Sequence, residues 1–364
     1  MSAEPVLWFE ECQRSDSTRV GGKCASLGEL LHAGIRVPPG FAVTTDAYYR
    51  FLVESGLKDP ICRVLRRTAS GAPVAEVGQE VRSMILAAEL PPDVEQAVRA
   101  AYRELCRRCG VEDLPVAVRS SATLEDLADA SFAGLQDTYL WVCGEDAVVE
   151  KVRACWASLF TERVIAYREE KGFSHENVRI SVGVQKMAHA RSSGVLFTLN
   201  PINGDRSKIA INSAWGFGEG VVSGDITPDD FLVDKVTFDV LRRDVVPKPR
   251  AYLLVSPEEG VRVIDVPEAD RNKPSITDEE IRELTHLARR IEKHYGCPMD
   301  VEWAVDSDLE FPENVVILQA RPETVWSKKA AKPVAGKRKS AMESIIGGLM
   351  SGVPVKIQKR TAAV

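Results

Sequence analysis

Four short segments of this 364-residue chain carry side chains suited to holding a polyphosphate. In "VGGKCASLGEL", Lys23 follows Gly21-Gly22 and opens a helix, whose free N-terminal amides favour anions. A Walker loop would need Gly at position 17 and Ser or Thr at 24, where the hydroxyl holds magnesium. Those positions are Ser17 and Cys24, so that reading is excluded. A tight turn before a surface helix remains the competing explanation.

In "VAVRSSAT" a strand carries Arg119, whose rigid guanidinium fork matches phosphate oxygens with two charged hydrogen bonds. A small-residue segment, Ala130 to Gly134, follows. Gly134 allows backbone N–H groups to approach oxygen closely, and Thr138 adds a hydroxyl donor. In "MDVEWAV", period-2 alternation puts Asp300 and Glu302 on one face, where they can meet a cation. In "ILQAR" it aims Gln319 and Arg321 together. Carboxylate and amide oxygens are hard ligands of the kind magnesium takes while bridging phosphates. A solvated strand face is the alternative for each pair.

Other segments are less specific. Gln185 and Met187 end an alternating strand, either as an ordinary strand end or as an adenine-binding hinge. Gly216-Phe217-Gly218-Glu219-Gly220 has the wrong spacing for a dinucleotide fingerprint, although its glycines are candidates to line a nucleotide cleft. Histidines at 32, 175, 189, 286 and 294 lie near no Ser or Cys elbow, which gives a hydrolytic triad little support. Eight scattered cysteines contain one close pair, Cys106 and Cys109, and no second pair to complete a zinc site. They read as reduced thiols.

These residues need strands to aim them and helices to back the strands. A helix over Ala25–Ala33 stops at Gly34, "VPPGFAVTT" is a short strand, and Thr45 caps a helix over Asp46–Glu54. Residues 74–109 are helical with a break at Pro91-Pro92, and 145–171 read as one long amphipathic helix ended by Gly172. Alternating strands then crowd the sequence from Val178, until a Thr277/Glu280 capping box starts a helix that Gly296 stops. "PMDVEWAV" and "NVVILQAR" are the last two strands. A helical first part and a strand-rich second part give an α+β class, with two lobes facing a cleft.

Hydrophobic content of 45% and charged content of 27% are those of a globular protein long enough for two lobes. No apolar run reaches the ~20 residues that span a bilayer, and the N-terminus lacks a basic, then apolar, leader. A cytoplasmic location with no membrane partner is the expectation. Residues 328–364 hold seven Lys, two Arg and one Glu, a net +8, so the rest of the chain carries −14. An acidic body argues against a nucleic-acid partner, and the basic tail reads as a linker or docking segment.

Taken in order, "GGKCASLGELLHAGIRVPPGFAVTTDAYYRFL", "VAVRSSATLEDLADASFAGLQDTYL", "GFGEGVVSGDITPDDFLV", "PMDVEWAV" and "ILQARPETVWS" resemble one family. It is the N-terminal nucleotide-binding part of the phosphoenolpyruvate synthase, pyruvate phosphate dikinase and rifampicin phosphotransferase family, and the resemblance covers about residues 15–327. It implies a two-lobed ATP-grasp fold with Mg-ATP in the inter-lobe cleft. The expected division is an N-terminal lobe over 1–187, a C-terminal lobe over 188–327 and the basic tail over 328–364. Lys23, Arg119 and Arg321 become the expected catalytic cations. Gly134 and Thr138 fall on the phosphate loop, Gln185 and Met187 beside adenine. Glu302 and Gln319 fall beside magnesium or phosphate, and Asp300 matches an acidic family position counted with them as a metal residue.

Such enzymes pass phosphate through a histidine in a Gly-Gly-x-x-x-His-Ala-Ala type segment, which this sequence does not contain. The resemblance therefore implies a separate subunit carrying the phosphorylatable histidine and the acceptor site. That division is similar to phenylphosphate synthase, with phenol as acceptor. A split phosphoenolpyruvate synthase acting on pyruvate, and an ATP-grasp ligase producing ADP, are the alternatives.

Overall fold

The computed structural model describes residues 4–122, 137–175, 178–256 and 259–326, all within one compact unit, Met1–Trp326. Gly134, the Ala130–Gly134 segment and the basic tail lie outside the described residues. The first part runs β1 (Val6–Trp8), α1 (Ser17–His32), β2 (Gly40–Val43), α2 (Thr45–Glu54), α3 (Lys58–Leu65), α4 (Val74–Ala87) and α5 (Pro92–Cys109). It continues through β3 (Val116–Ala122), β4 (Thr138–Val142), α6 (Glu145–Ser158), α7 (Glu162–Lys171) and β5 (Ile180–Lys186). Its strands form an antiparallel sheet in the order β1-β2-β5-β3-β4.

Alternation gives this sheet two different faces. Val116 and Val118 of β3 and Val182 and Val184 of β5 point into a core shared with Trp156, Phe51 and Tyr48 of the surrounding helices. The intervening residues, Ala117, Arg119, Gly183 and Gln185, are left for the opposite face. There α1 packs, its Leu27 and Leu30 belonging to the second core of the molecule.

That core lies under a second antiparallel sheet, built from β6 (Ala190–Phe197), β7 (Lys208–Trp215), β8 (Asp229–Asp234) and β9 (Val240–Asp244). Between β7 and β8 sits the short α8 (Glu219–Val222), and β10 (Arg250–Ser256) pairs with β11 (Gly260–Asp265) as a separate hairpin. After α9 (Glu268–Arg271) and α10 (Asp278–Tyr295), the hairpin β12 (Met299–Asp306) and β13 (Val315–Pro322) completes the order β13-β12-β6-β7-β8-β9. Ile281, Leu284, Leu287 and Ile291 of α10 seal this sheet together with α1. Helix α1 thus belongs to both halves: Ser26 Oγ donates to Ala320 O of β13 at 2.6 Å, and Lys23 Nζ donates to Ser120 O of β3 at 3.0 Å.

Several local expectations change. The helix expected over 145–171 is two helices, because Thr161 takes an extended conformation and its side chain caps α7 by accepting from Val164 N. Thr44, not Thr45, caps α2, accepting from Ala47 N. Helix α1 begins at Ser17, so the glycine pair lies inside it as a kink, with Gly21 at φ 71°. The capping box at Thr277 and Glu280 and the stop at Gly296 form as expected.

Candidate nucleotide site

A cleft of about 660 Å³ opens between the two sheets, lined by Lys23, Arg119, Thr138, Gln185, Met187, Glu302, Gln319 and Arg321 among others. Eight residues singled out from sequence, spread over nearly 300 positions of chain, therefore converge on one space. Each reaches it for a local reason.

Lys23 is aimed by the kink. A Cβ on Gly21 would lie 2.1 Å from Ser121 O, and its φ of +71° is a region that side-chain-bearing residues rarely adopt. Only glycine lets the start of α1 rest on β3 this closely. With ψ at 165° Gly21 sits in a region open essentially to glycine, so Gly21→Ala should cost about 1–3 kcal/mol from backbone strain alone. It should also weaken nucleotide binding by displacing Lys23; denaturant titration and nucleotide titration unchanged from the parent would contradict this.

Glu302, Gln319 and Arg321 depend on a β-bulge. The hairpin pairs Asp300 with Arg321 and Glu302 with Gln319, but Trp303 with Ile317, so Leu318 is the extra residue. Before the bulge, Val315 and Ile317 face the core; after it, Ala320 does. The inserted residue reverses the alternation, and Gln319 and Arg321 turn to the cleft side with Glu302. In a regular strand they would share the buried face of Val315 and Ile317.

Arg119 crosses the cleft from β3 to meet them. Its Nη2 donates to Glu302 Oε2 and to Gln319 Oε1, both at 2.8 Å, and its Nη1 to Leu318 O at 3.2 Å. Arg321 donates through Nε and Nη2 to Asp300 Oδ2, at 2.8 and 2.7 Å. Asp300 does not line the cleft; its carboxylate orients Arg321 from below. Burial raises the Asp300 carboxyl, and Arg321 only partly opposes it. For Glu302, burial also works upward, but Arg119, Lys23 and Arg321 outweigh it and the net shift is downward.

A depressed carboxylate contributes stability above its unfolded pKa, about 4.3 for glutamate, and loses it as pH falls through the lower folded value. Glu302→Gln should therefore flatten the acid limb of melting temperature against pH. An unchanged acid limb would contradict the pairing.

At the other end, Gln185 is buried and donates to Pro38 O at 3.3 Å, while Met187, Ala188 and Ala190 continue the wall through the connection between the two sheets. Phe217, Gly218, Glu219 and Val222 close the opposite side, so the glycine-containing loop lines the cleft. Sequence reasoning missed Ala117, Leu140, Ser193 and Gly194. Ala117 and Leu140 are two residues from Arg119 and Thr138 in the same strands, so alternation carried that signal.

The oxygens on the β12–β13 hairpin are of the kind magnesium takes. Glu302 and Gln319 present two hard oxygens that already converge on a single cationic nitrogen. Among the described residues no three His, Cys, Asp or Glu side chains gather as a metal cage. Few protein oxygens beside a phosphate-binding surface is how magnesium is usually held, so the residues fit.

Two sheets clasping a cleft, with Arg119 of one meeting the carboxylate of Glu302 and the amide oxygen of Gln319 from the other, define an α+β, ATP-grasp-like nucleotide-binding module. Residues 17–342 match the family model described as pyruvate phosphate dikinase, AMP/ATP-binding domain. The chain is 45% identical over 92% of its length to a probable phosphoenolpyruvate synthase of Staphylothermus marinus, covering 43% of that protein. It is 44% identical over 90% of its length to the phosphoenolpyruvate synthase of Neisseria meningitidis, covering 43% of it. A probable phosphoenolpyruvate synthase of Methanocaldococcus jannaschii is 44% identical over 89% of the chain, which covers 27% of that relative. The chain belongs to the phosphoenolpyruvate synthase and pyruvate phosphate dikinase family of ATP-dependent phosphotransferases, and represents its N-terminal ATP-binding part. It spans less than half the length of these three relatives. No described helix is long and apolar enough to cross a membrane.

Proposed function

We propose that this chain is the ATP-binding donor module of a phosphoenolpyruvate synthase-type dikinase. The observation that carries this reading is the convergence of Lys23, Arg119 and Arg321, from three separate segments, on one cleft beside Glu302 and Gln319. Adenine lies against Gln185, Met187 and Ala188, and the triphosphate runs toward the three cations. Thr138, with Gly134 outside the described residues, serves the phosphates from the first sheet.

None of the five histidines is among the residues lining the cleft, and in this reading the phosphoryl-accepting histidine comes from outside the described body. It attacks the β-phosphorus, a nitrogen–phosphorus bond forms as the bond to the α-phosphate oxygen breaks, and AMP leaves with the electron pair. Lys23, Arg119 and Arg321 orient the chain of phosphates and meet the charge that shifts onto AMP. Magnesium, held by Glu302 and Gln319, supplies further neutralisation of the phosphate oxygens when bound. Asp300 positions Arg321.

Pyruvate is the acceptor this reading favours, because the relatives named above are phosphoenolpyruvate synthases; the phenol acceptor inferred from the sequence has no comparable support. The histidine and acceptor site, first expected on a separate subunit, are assigned only to a part beyond the described residues. Incubation with that histidine-bearing part, β-labelled ATP and either pyruvate or phenol tests the proposal. AMP, labelled histidine and pyruvate-dependent turnover are expected; ADP as product, with no labelled histidine, would instead indicate an acyl-phosphate ligase.

A further inference from the structure

The kink in α1 is bridged by a side chain from another element. In a regular helix Cys24 N would donate to Val20 O, four residues back. Gly21, at φ 71° and ψ 165°, departs from helical geometry between them. The Ser121 hydroxyl of β3 joins the two groups instead: its Oγ donates to Val20 O at 3.0 Å and accepts from Cys24 N at 3.3 Å. Ser121 is 1% exposed, and Val20 and Cys24 are as deeply buried, so solvent does not reach either bond. A side chain inserted into the i→i−4 ladder is one of the few causes of a sharp kink. The residues it brackets, Gly21, Gly22 and Lys23, end on the lysine of the cleft. Alternation puts Ser121 on the same face of β3 as Arg119, and between them the Ser120 carbonyl receives Lys23 Nζ at 3.0 Å.

We propose that Ser121 is a positioning residue whose hydroxyl holds α1 in the kinked form that sets the direction of Lys23 against Arg119. The inference rests on the nucleotide-site reading given above and deepens it. It assigns the spacing of two phosphate-binding cations to a side chain that is not among those lining the cleft. A hydroxyl serves because it donates and accepts through a single atom. With alanine in its place, Val20 O and Cys24 N are left buried without partners, a costly state. The turn recovers them by closing toward its own helical bond, which swings Lys23 out of line.

The alternative is that the hydroxyl merely ties α1 to β3, and a double-mutant cycle with Lys23→Met tells the two roles apart. Calorimetric titration with magnesium and a non-hydrolysable ATP analogue reads affinity without turnover. Ser121→Ala should weaken binding about tenfold in the parent, but less than about twofold where Lys23 is already methionine, the non-additivity of residues that act through one another. A structural tie would change affinity by the same factor in both backgrounds. Melting curves verify that each variant is folded. Ser121→Cys, close in shape but weak as donor and acceptor, carries the same cycle if the alanine variant does not fold. Equal factors in the two backgrounds, or no loss in either, would overturn the positioning role alone. Lys23→Met binding the analogue as tightly as the parent would overturn the underlying nucleotide-site reading as well.

Discussion

Arg321→Ala should lower the rate of phosphoryl transfer from ATP by about 10²–10³-fold, the usual effect of removing one preorganised donor from developing charge. Its effect on nucleotide affinity should be much smaller, since a group acting on charge that appears in the transition state changes turnover more than ground-state binding. The fold should survive. The Arg321 side chain is 42% exposed, and Asp300, already raised by burial, can take up a proton once its partner is gone. Single-turnover labelling of the histidine separates the two readouts. Near-normal labelling would remove Arg321 from the catalytic role, and an equally large loss of affinity would make it a binding residue instead.

Asp229→Ala should cause the largest loss of stability, about 3–5 kcal/mol, because it leaves a buried ammonium without its anion. Asp229 and Lys248 are both fully buried, with Lys248 Nζ 2.5 Å from Asp229 Oδ1. The same carboxylate accepts from Val246 N at 3.1 Å and from Ser275 N and Oγ at 2.9 Å, tying β8 to the segments before β10 and α10. Replacing both partners, as Asp229→Ala with Lys248→Met, should recover much of the loss by removing the unpaired charge. Urea denaturation midpoints measure both variants. A single variant as stable as the parent would show that water reaches Lys248.

The two cases differ in how legible they were. Arg321 was readable in two steps: the period-2 pattern it shares with Gln319 put both on one face while leaving a solvated strand face open, and the family resemblance gave it its role. The same holds for Asp300 and Glu302, and the helices around them were readable because capping and glycine signals act within a few residues. Asp229 and Lys248 carried no signal, because 19 residues and no periodicity connect them. Nor did the bulge at Leu318: alternation aimed Gln319 and Arg321 at a common face, but which face depends on one unpaired residue in the ladder. The kink at Gly21 was hidden similarly, since the glycine pair suggested a turn before the helix and the contact with Ser121 that requires it is 100 residues away. Local patterns determined what each segment is, whereas register and long-range contact determined what it faces.

The most direct measurement of the central claim is a crystal structure of this chain with magnesium and a non-hydrolysable ATP analogue. The triphosphate should lie within hydrogen-bonding distance of Lys23, Arg119 and Arg321, with Glu302 and Gln319 turned to the metal and the adenine beside Met187. Nucleotide bound elsewhere, or in this cleft with those three cations directed away from the phosphates, would contradict the account.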